Sequence, residues 1–362
     1  MKLLIAGGGT GGHLMPALAL ARAAVDAGQQ VVLAGAARGL EAQILPRYPY
    51  AFHLLPIEPL YRRAWWRNLR WPLIALRAWR AVGRVLAEER PAIVIGTGGY
   101  AAGPIVWRAQ RAGIPTALQE QNAFPGITTR LLARRARQVH LGFPEAADRL
   151  RPGAGTEVLV PGNPIARPPE AIDPAAARAR FGVDPARRTV LVFGGSQGAR
   201  AINQLVAAAL GAGRLDRVNV LWGTGTAEHA RFRALAVPGR VSISGFFDPM
   251  APAYAAADLV VARAGAMTVA ELCAWGKPSI LVPLPTAAAD HQRHNARALA
   301  AAGAALLLEQ HGLTAEALAE TVGHLAADAP RLAALASAAR ARGHPDAAPT
   351  IMSKILTLVG VD

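Results

Sequence analysis

The sequence contains very little cysteine and lysine. Cys273 is the single cysteine among 362 residues, so an internal disulfide is excluded and a cytoplasmic location is favoured. Lysine occurs only three times, and arginine accounts for the other 36 of the 39 basic residues. The longest uncharged apolar stretch, residues 92–107, is interrupted by glycines and a proline. We therefore predict neither a membrane-spanning helix nor a signal peptide.

Several functional motifs are also missing. The sequence has no D-x-D, H-E-x-x-H or C-x-x-C pattern, so no metal cluster is indicated. It has no G-x-x-x-x-G-K-[S/T] pattern either, which argues against a P-loop ATPase or GTPase. We predict that the protein needs no metal and no other cofactor.

Acidic residues are scarce, and the formal net charge of +15 favours an anionic partner. Between Pro59 and Ala87 there is no acid at all, although this span contains four of the seven tryptophans. Its basic and aromatic side chains are Arg62, Arg63, Arg67, Arg70, Arg77, Arg80, Arg84, Trp65, Trp66, Trp71 and Trp79. In a helix over 72–88, the arginines would lie opposite an apolar face.

Short β-branched segments alternate with longer segments rich in alanine and leucine, which is typical of βα units around a parallel sheet. We predict strands at 2–6, 30–35, 92–96 and 114–119, and helices near 14–27 and 72–88. The pattern begins again at residue 188.

Five prolines between residues 161 and 174 interrupt the alternation, and such a segment cannot be a helix interior or a central strand. The length of the chain also favours two domains. We predict an N-terminal domain over 1–160, a linker over 161–174 and a second domain over 175–345. A C-terminal helix within 346–362 could pack back on the first domain.

Both halves open with a strand, a glycine-rich turn and a helix: "LLIAGGGTGGHLMPALALA" at 3–21 and "VLVFGGSQGARAINQLVAA" at 190–208. Glycines allow positive φ and close backbone approach, and a helix start presents unpaired amides and the positive end of its dipole. Each turn could therefore hold a phosphate. The alternative is that these glycines serve only tight turns between a strand and a helix.

Gly7, Gly9 and Gly12 match a dinucleotide fingerprint formally, so a nicotinamide-dependent oxidoreductase is one alternative. The fingerprint requires an acid at the end of the second strand to hold the ribose. Residues 34–36 are Ala-Gly-Ala there, and only Arg38 could meet a 2′-phosphate. NAD is therefore disfavoured.

A more specific pattern follows the strand "ADLVVA" in the second half. The next helix carries Thr268 and Glu271 in its first turns, where its amides could meet a diphosphate and the glutamate could accept both ribose hydroxyls. A further helix start carries the polar residues Asp290, His291, Gln292 and Asn295, which is more than capping requires.

These motifs resemble the MurG family of UDP-N-acetylglucosamine transferases over nearly the whole chain. The matching segments are collinear: "GGGTGGH" at 7–13, "GTGGYAAGP" at 96–104, "EQN" at 120–122, "PGNP" at 161–164, "GGSQGA" at 194–199, "ARAGAMTVAE" at 262–271 and "DHQRHNA" at 290–296. The resemblance implies a GT-B fold of the α/β class, with two Rossmann-like parallel-sheet domains facing across a cleft. It also implies an enzyme of peptidoglycan synthesis.

The resemblance further implies substrates, a location and site residues. The donor is UDP-N-acetylglucosamine, and the acceptor is undecaprenyl-diphosphate-linked muramyl-pentapeptide at the cytoplasmic face of the bacterial inner membrane. Ser196 would meet the diphosphate, the backbone near Phe247 the uracil, Glu271 the ribose and Gln292 the donor sugar. The implied substrate-binding set is Thr10, Gly11, Gly12, Asn122, Arg167, Ser196, Phe247, Ala266, Met267, Thr268, Val269, Ala270, Glu271 and Gln292. The family can place an arginine at the position of Ala166, so a nucleotide contact by Arg167 is left open.

Sugar transfer requires that the departing UDP be stabilised and that the attacking hydroxyl lose a proton. Without a D-x-D motif, we expect helix dipoles and amides at 195–199 and 264–268 to stabilise UDP. His13 is the predicted general base because imidazole can accept a proton at neutral pH, with Glu120 as its rival or assistant. In-line attack would invert the anomeric centre.

An acceptor anchored in a bilayer gives the arginine- and tryptophan-rich span a role at an anionic membrane surface, where both residue types are favoured. The alternative is a solvated basic face with tryptophans filling local gaps. Two other functions stay open from the residues: a glycolipid-forming glycosyltransferase of the same fold, and a non-catalytic binder of membranes or nucleic acid. Because no nucleic-acid-binding motif occurs, no nucleic-acid partner is predicted.

Overall fold

The computed structural model describes residues 1–59, 69–169, 172–195 and 198–361. The chain divides into two compact units, Met1–Ala166 with Asp346–Asp362, and Arg167–Pro345. The division falls inside the proline-rich segment predicted as a linker. The prediction for residues 60–68, which carry Arg62, Arg63, Trp65, Trp66 and Arg67, lies outside the described residues.

The first unit contains a parallel sheet of seven strands within the described residues, in the order β3-β2-β1-β4-β5-β6-β7. The strands are β1 Lys2–Ala6, β2 Gln30–Ala36, β3 Ala51–Leu55, β4 Ile93–Gly96, β5 Thr116–Glu120, β6 Gln138–Leu141 and β7 Glu157–Leu159. Its helices are α1 Gly11–Asp26, α2 Glu41–Ile44, α3 Trp71–Glu89, α4 Gly99–Arg111, α5 Ile127–Leu132 and, from the end of the chain, α14 Ala347–Leu358.

Apolar side chains cover both faces of this sheet, as the unbroken hydrophobic strands require. One face packs on α3 and α4, and the other on α1 and α14, where Ile351, Met352 and Ile355 are fully buried. The C-terminal helix thus completes the core of the first unit. The predicted strands and helices of this unit are confirmed to within three residues.

The second unit contains a parallel sheet of six strands in the order β10-β9-β8-β11-β12-β13 among its described residues. The strands are β8 Thr189–Phe193, β9 Asn219–Gly223, β10 Val241–Ser244, β11 Leu259–Ala262, β12 Ser279–Leu281 and β13 Leu306–Leu307. The helices are α6 Pro174–Arg180, α7 Arg200–Gly211, α8 His229–Phe232, α9 Ala251–Ala256, α10 Ala266–Ala274, α11 His291–Ala301, α12 Ala315–Ala327 and α13 Ala329–Ala341.

In each sheet the chain order reverses beside the first strand of the unit. β1 lies between β2 and β4, and β8 lies between β9 and β11. Ligands of open parallel sheets bind at such a switch point, beyond the carboxyl ends of the strands. Both glycine-rich turns begin at these positions.

Candidate active site

The first glycine turn, residues 7–12, lies at the carboxyl end of β1, and the segment Thr97–Tyr100 interlocks with it. The Thr97 hydroxyl donates to the His13 carbonyl oxygen at 2.8 Å. The Tyr100 ring covers Gly9, where a Cβ atom would come within 2.5 Å of Tyr100 Cε1. Two motifs that are far apart in sequence therefore form one structural element at the switch point.

Glu41, which was not predicted as a site residue, lies on the inner side of this turn. Its side chain is fully buried, and its two carboxylate oxygens accept from the amides of Gly9 and Ala36, each at 2.9 Å. Cβ atoms at Gly35 and Gly39 would collide with it. The Gly9 amide is therefore already satisfied by the protein's own carboxylate. A phosphate in the manner of a dinucleotide fold would face that negative charge.

His13 lies in the first turn of α1 with its ring on the backbone of Gly98 and Gly99. A Cβ atom at Gly98, whose φ is +94°, would lie 2.9 Å from His13 Nδ1. The same nitrogen lies 2.9 Å from Oε1 of the buried Gln121. Gln121 is the middle residue of the "EQN" motif, yet it was not predicted as a site residue.

Glu120 is buried at the carboxyl end of β5, and its carboxylate organises the loop that follows. One oxygen accepts from the Asn122 backbone and side-chain amides at 3.1 and 3.3 Å. The other accepts from the Gly126 amide at 3.0 Å and the Thr129 hydroxyl at 2.6 Å. Because four donors already share its two oxygens, this carboxylate is well suited to fix the loop that carries Asn122.

The second glycine turn, residues 194–199, follows β8 and leads into α7. Gly198 has φ +74°, and a Cβ atom there would collide with the Thr224 carbonyl oxygen, so glycine is required. Ser196, predicted to meet a diphosphate, lies outside the described residues. Among the residues that the structure describes, no carboxylate accepts from the amides of Gly194, Gly195, Gly198 or Ala199.

α10 begins directly beyond β11 at the switch point of the second sheet. Its N-cap is Gly265, which has no side chain to cap the helix, and its first turn contains no acid. Thr268 and Met267 are half-buried, whereas Val269 is buried in the core. Val269 and the buried Ala266 can therefore offer only backbone to a ligand. Such a helix start attracts an anion.

Glu271 projects from the second turn of α10 and accepts a hydrogen bond of 2.6 Å from the Tyr254 hydroxyl. Loss of hydration raises the pKa of Glu271, and the hydrogen bond from Tyr254 opposes that rise. Burial raises the pKa of Tyr254 well above its ordinary value, so the phenol stays protonated and donates. Tyr254 thus orients the carboxylate that was predicted to hold the ribose.

Gln292 lies in the first turn of α11, and its Oε1 accepts from the Leu284 amide at 2.9 Å. Arg263 supports the same loop, because its guanidinium donates to the Val282 and Pro283 carbonyls at 3.0 and 3.1 Å. The side-chain carbonyl of Gln292 is therefore engaged. Its Nε2 amide is the group suited to donate to a sugar hydroxyl.

The other polar residues near α11 have structural partners. Asp290 pairs with Arg293 at 3.1 Å, and the His291 ring contacts the Ala288 carbonyl at 2.7 Å. The buried Asn295 donates to the Ala264 carbonyl at 3.1 Å and so fixes the loop before α10. Helix capping would have been the simplest role for Asp290. Its side chain makes no hydrogen bond to the amides of α11, so it does not cap that helix.

The remaining residues of the predicted substrate-binding set differ in their exposure to solvent. The Phe247 side chain is buried, with its ring edge-on to Phe181 at 5.5 Å, so only its backbone is available. Thr10, Gly12 and Arg167 are exposed. Gly11, Asn122 and Ala270 are half-buried. No group of three or more His, Cys, Asp or Glu side chains arranged to hold a metal occurs in the described ranges.

Comparison with known proteins identifies the class. Residues 3–141 match the glycosyltransferase family 28 N-terminal domain, and residues 189–351 match the glycosyltransferase family 28 C-terminal domain. The chain belongs to glycosyltransferase family 28. Together with the two parallel-sheet units, these matches confirm the predicted GT-B fold.

Particular relatives within the family are similar over their full length. A protein of Chlorobaculum parvum is 44% identical over 99% of both chains, and one of Syntrophotalea carbinolica is 42% identical over 100% of both. Each is named UDP-N-acetylglucosamine--N-acetylmuramyl-(pentapeptide) pyrophosphoryl-undecaprenol N-acetylglucosamine transferase. The crystal structure of Acinetobacter baumannii MurG is 30% identical, with a TM-score of 0.78 over 98% of this chain and 99% of that one. The calicheamicin glycosyltransferase CalG4, 16% identical with a TM-score of 0.68, shares the fold.

Proposed function

We propose that this protein is an inverting glycosyltransferase that moves N-acetylglucosamine from UDP-N-acetylglucosamine to undecaprenyl-diphosphate-linked N-acetylmuramyl-pentapeptide. The product is the disaccharide lipid from which peptidoglycan is built. The observation that carries the proposal is the match, at 42–44% identity and nearly full length, to relatives named for this reaction.

The donor nucleotide is bound by the second unit. The diphosphate lies against the start of α10, where the N-cap Gly265 has no side chain and the helix dipole stabilises negative charge. Glu271 accepts the ribose hydroxyls, and the Gln292 amide donates to the sugar. The backbone beside Phe247 meets the uracil. In the described part of the second glycine turn, no acidic side chain accepts from the backbone amides.

The acceptor hydroxyl is activated by the first unit. The C4 oxygen of the muramyl sugar attacks the anomeric carbon from the face opposite UDP, and the bond between that carbon and the diphosphate oxygen breaks. UDP leaves with the electron pair, and the hydroxyl proton passes to His13. The α-linked donor sugar thereby becomes β-linked. Glu120 holds the loop with Asn122, beside which the acceptor lies.

We infer that the exposed faces of α3 and α4 form a membrane-facing surface. Arg77, Arg80 and Arg84 are exposed on α3, as predicted, and they line a groove of about 500 Å³ with His53. At the start of the same helix Leu73 is exposed, and Trp107 on α4 is also exposed. The opposite face of α3 packs on the sheet through Val82 and Leu86.

Such a surface suits anionic lipid headgroups, because each basic residue near them contributes about 1 kcal/mol. Among the described residues, no helix is both long and apolar enough to span a bilayer. We infer peripheral binding at the cytoplasmic face, where the nucleotide donor is present. Vesicle binding that falls steeply with added salt would support this surface, and binding unchanged in an Arg77→Gln, Arg80→Gln, Arg84→Gln variant would contradict it.

The reaction is tested by giving the purified protein radiolabelled UDP-N-acetylglucosamine with the muramyl-pentapeptide lipid. UDP-glucose with diacylglycerol provides the competing reaction. Labelled disaccharide lipid with a β1→4 linkage is the expected product. Transfer of glucose to diacylglycerol, with none to the muramyl lipid, would overturn the proposal in favour of a glycolipid-forming enzyme.

A further inference from the structure

Gln121 contacts the imidazole of His13 at the switch point of the first sheet, and the orientation of its amide is fixed. Its Nε2 donates to the Thr97 carbonyl at 2.7 Å and to the Gln119 carbonyl at 3.0 Å. Backbone carbonyls only accept, so the NH₂ group must point toward them. The Oε1 atom must then face His13.

An amide oxygen also only accepts, and this determines the proton on the imidazole. Since Oε1 of Gln121 lies 2.9 Å from Nδ1 of His13, Nδ1 must carry the hydrogen. In the neutral ring, Nε2 then has a free lone pair. No described side chain forms a hydrogen bond to that nitrogen, so it is the atom able to accept a proton from a ligand.

From this network we propose that Gln121 is a positioning residue that selects the Nδ1–H tautomer of His13 and aims Nε2 at the acceptor hydroxyl. The inference rests on the proposed function for its role in catalysis, although the tautomer is a property of the protein alone. Charged partners serve the same purpose in other enzymes, where the wrong tautomer reduces turnover severely. A neutral amide orients the ring without adding a negative charge beside it.

The surrounding hydrogen bonds keep the amide in place. The Gln119 side chain contacts Gln121 Nε2 and donates to Asn163 Oδ1 at 2.9 Å. Asn163 donates in turn to the Gln121 carbonyl at 2.9 Å. All three side chains are buried, so water cannot readily replace these bonds. The "EQN" and "PGNP" motifs therefore contact each other inside the first unit, through Gln121 and Asn163.

The tautomer can be measured in the unaltered protein. Long-range ¹H–¹⁵N spectra of protein with ¹⁵N-labelled histidine, recorded where His13 is neutral, distinguish a protonated Nδ1 from a protonated Nε2. The His13 signals are those lost in a His13→Ala variant. We expect a protonated Nδ1, and a protonated Nε2 would overturn the proposal whether or not the protein transfers N-acetylglucosamine.

The positioning role is tested by Gln121→Met, which preserves length and removes the amide. We expect kcat to fall about 10–100-fold, within the contribution of a general base, and the Kd for UDP to change less than about twofold. In a His13→Ala background the same substitution should leave the residual kcat unchanged, because Gln121 acts through the imidazole. An equal loss in both backgrounds, or no loss in the unaltered background, would overturn the role.

Gln110→Met is the matched control. Gln110 also donates two hydrogen bonds inside the first unit, to the Thr116 hydroxyl and the Leu132 carbonyl, but it does not contact His13. We expect this variant to lose stability with little change in kcat and with the His13 tautomer retained. If Gln110→Met lowered kcat as much as Gln121→Met, the effect would be structural and the proposal would fail.

Discussion

The two glycine turns begin alike and are used differently. Each follows the first strand of its sheet, and each leads into a helix without a side-chain cap. In the first turn, the buried carboxylate of Glu41 accepts from Gly9. In the second, no acid reaches the described amides. Two similar local sequences therefore form different turns. In the first, a carboxylate of the protein already accepts from a turn amide, whereas the second is still suited to bind an anion.

This difference supports the proposed division in which the second unit binds the nucleotide and the first unit carries the base. A turn whose amide is bound to Glu41 is a rigid support for the start of α1, where His13 lies. A turn and a helix start without acids are suited to a diphosphate.

His13→Ala removes the proposed base from the first unit. We expect kcat to fall about 10²–10⁴-fold, while calorimetry shows an unchanged Kd for UDP, because the proposed nucleotide site lies in the second unit. His324→Ala, on the exposed side of α12, is the control and should be neutral. Unaltered turnover in His13→Ala would remove the imidazole from the mechanism.

Glu41→Gln keeps the shape of the side chain and replaces one acceptor with a donor. The new NH₂ group would face a backbone N–H, so the free energy of unfolding should fall by about 2 kcal/mol. We expect kcat to fall at least about tenfold as the support for His13 loosens, with UDP binding retained. Glu157→Gln, at an exposed carboxylate of the same sheet, is the control. Because glutamine keeps an oxygen that can accept from Gln138 Nε2, as Glu157 does at 2.9 Å, both quantities should change little.

Loss of UDP affinity in Glu41→Gln would contradict the division between the two turns. It would mean that the first turn also holds nucleotide. Calorimetric titration of UDP, alongside urea unfolding, separates this outcome from a general loss of stability.

The sequence predicted the fold well because its signals are local. Strands and helices follow from β-branched runs and alanine-rich segments whose residues lie close to one another in the sequence. The partners of the site were missed for the opposite reason. His13 and Gln121 are 108 residues apart and meet only because β5 lies beyond β4 in the sheet. In the sequence, Glu41 resembles any acidic residue in the first turn of a helix. Only the fold shows that Gly9, Gly35 and Gly39 surround its carboxylate.

Gly198→Ala tests the second turn. Its φ of +74° is costly for alanine, and the added Cβ atom would collide with the Thr224 carbonyl. We expect UDP to bind at least about tenfold more weakly, measured by calorimetry. Gly195→Ala is the comparison, because its φ is also positive but no atom of the described residues lies within 4 Å of the added Cβ atom. Equal losses in the two variants would show that strain alone, and not the shape of the turn, is responsible.

Glu271→Gln tests the ribose contact in the second unit. The amide keeps one acceptor and loses the charge, so we expect the Kd for UDP to rise about tenfold, equivalent to about 1.4 kcal/mol. Tyr254→Phe removes only the hydroxyl that orients the carboxylate, and its effect should be smaller. If Tyr254→Phe weakened binding more than Glu271→Gln, the carboxylate would not be the ribose ligand.

The smallest effect concerns acid stability, which should differ between the units. Burial lowers the pKa of His140, in β6 of the first unit, to about 4. As the pH falls through 6.5, this histidine therefore binds a proton in the unfolded chain but stays neutral in the folded chain. Stability from this residue is present above pH 6.5 and is lost as the pH falls toward 4. Between pH 7.5 and 5.5 the loss should be about 1 kcal/mol.

Urea unfolding at the two pH values measures this loss. His140→Gln keeps a donor for Oε1 of Gln138 but cannot titrate. The free energy of unfolding of this variant should therefore change less with pH than that of the unaltered protein. Partial burial also lowers the pKa of His344 in the second unit, which adds a smaller loss there. An identical pH dependence in His140→Gln would show that His140 is not the source of the acid sensitivity.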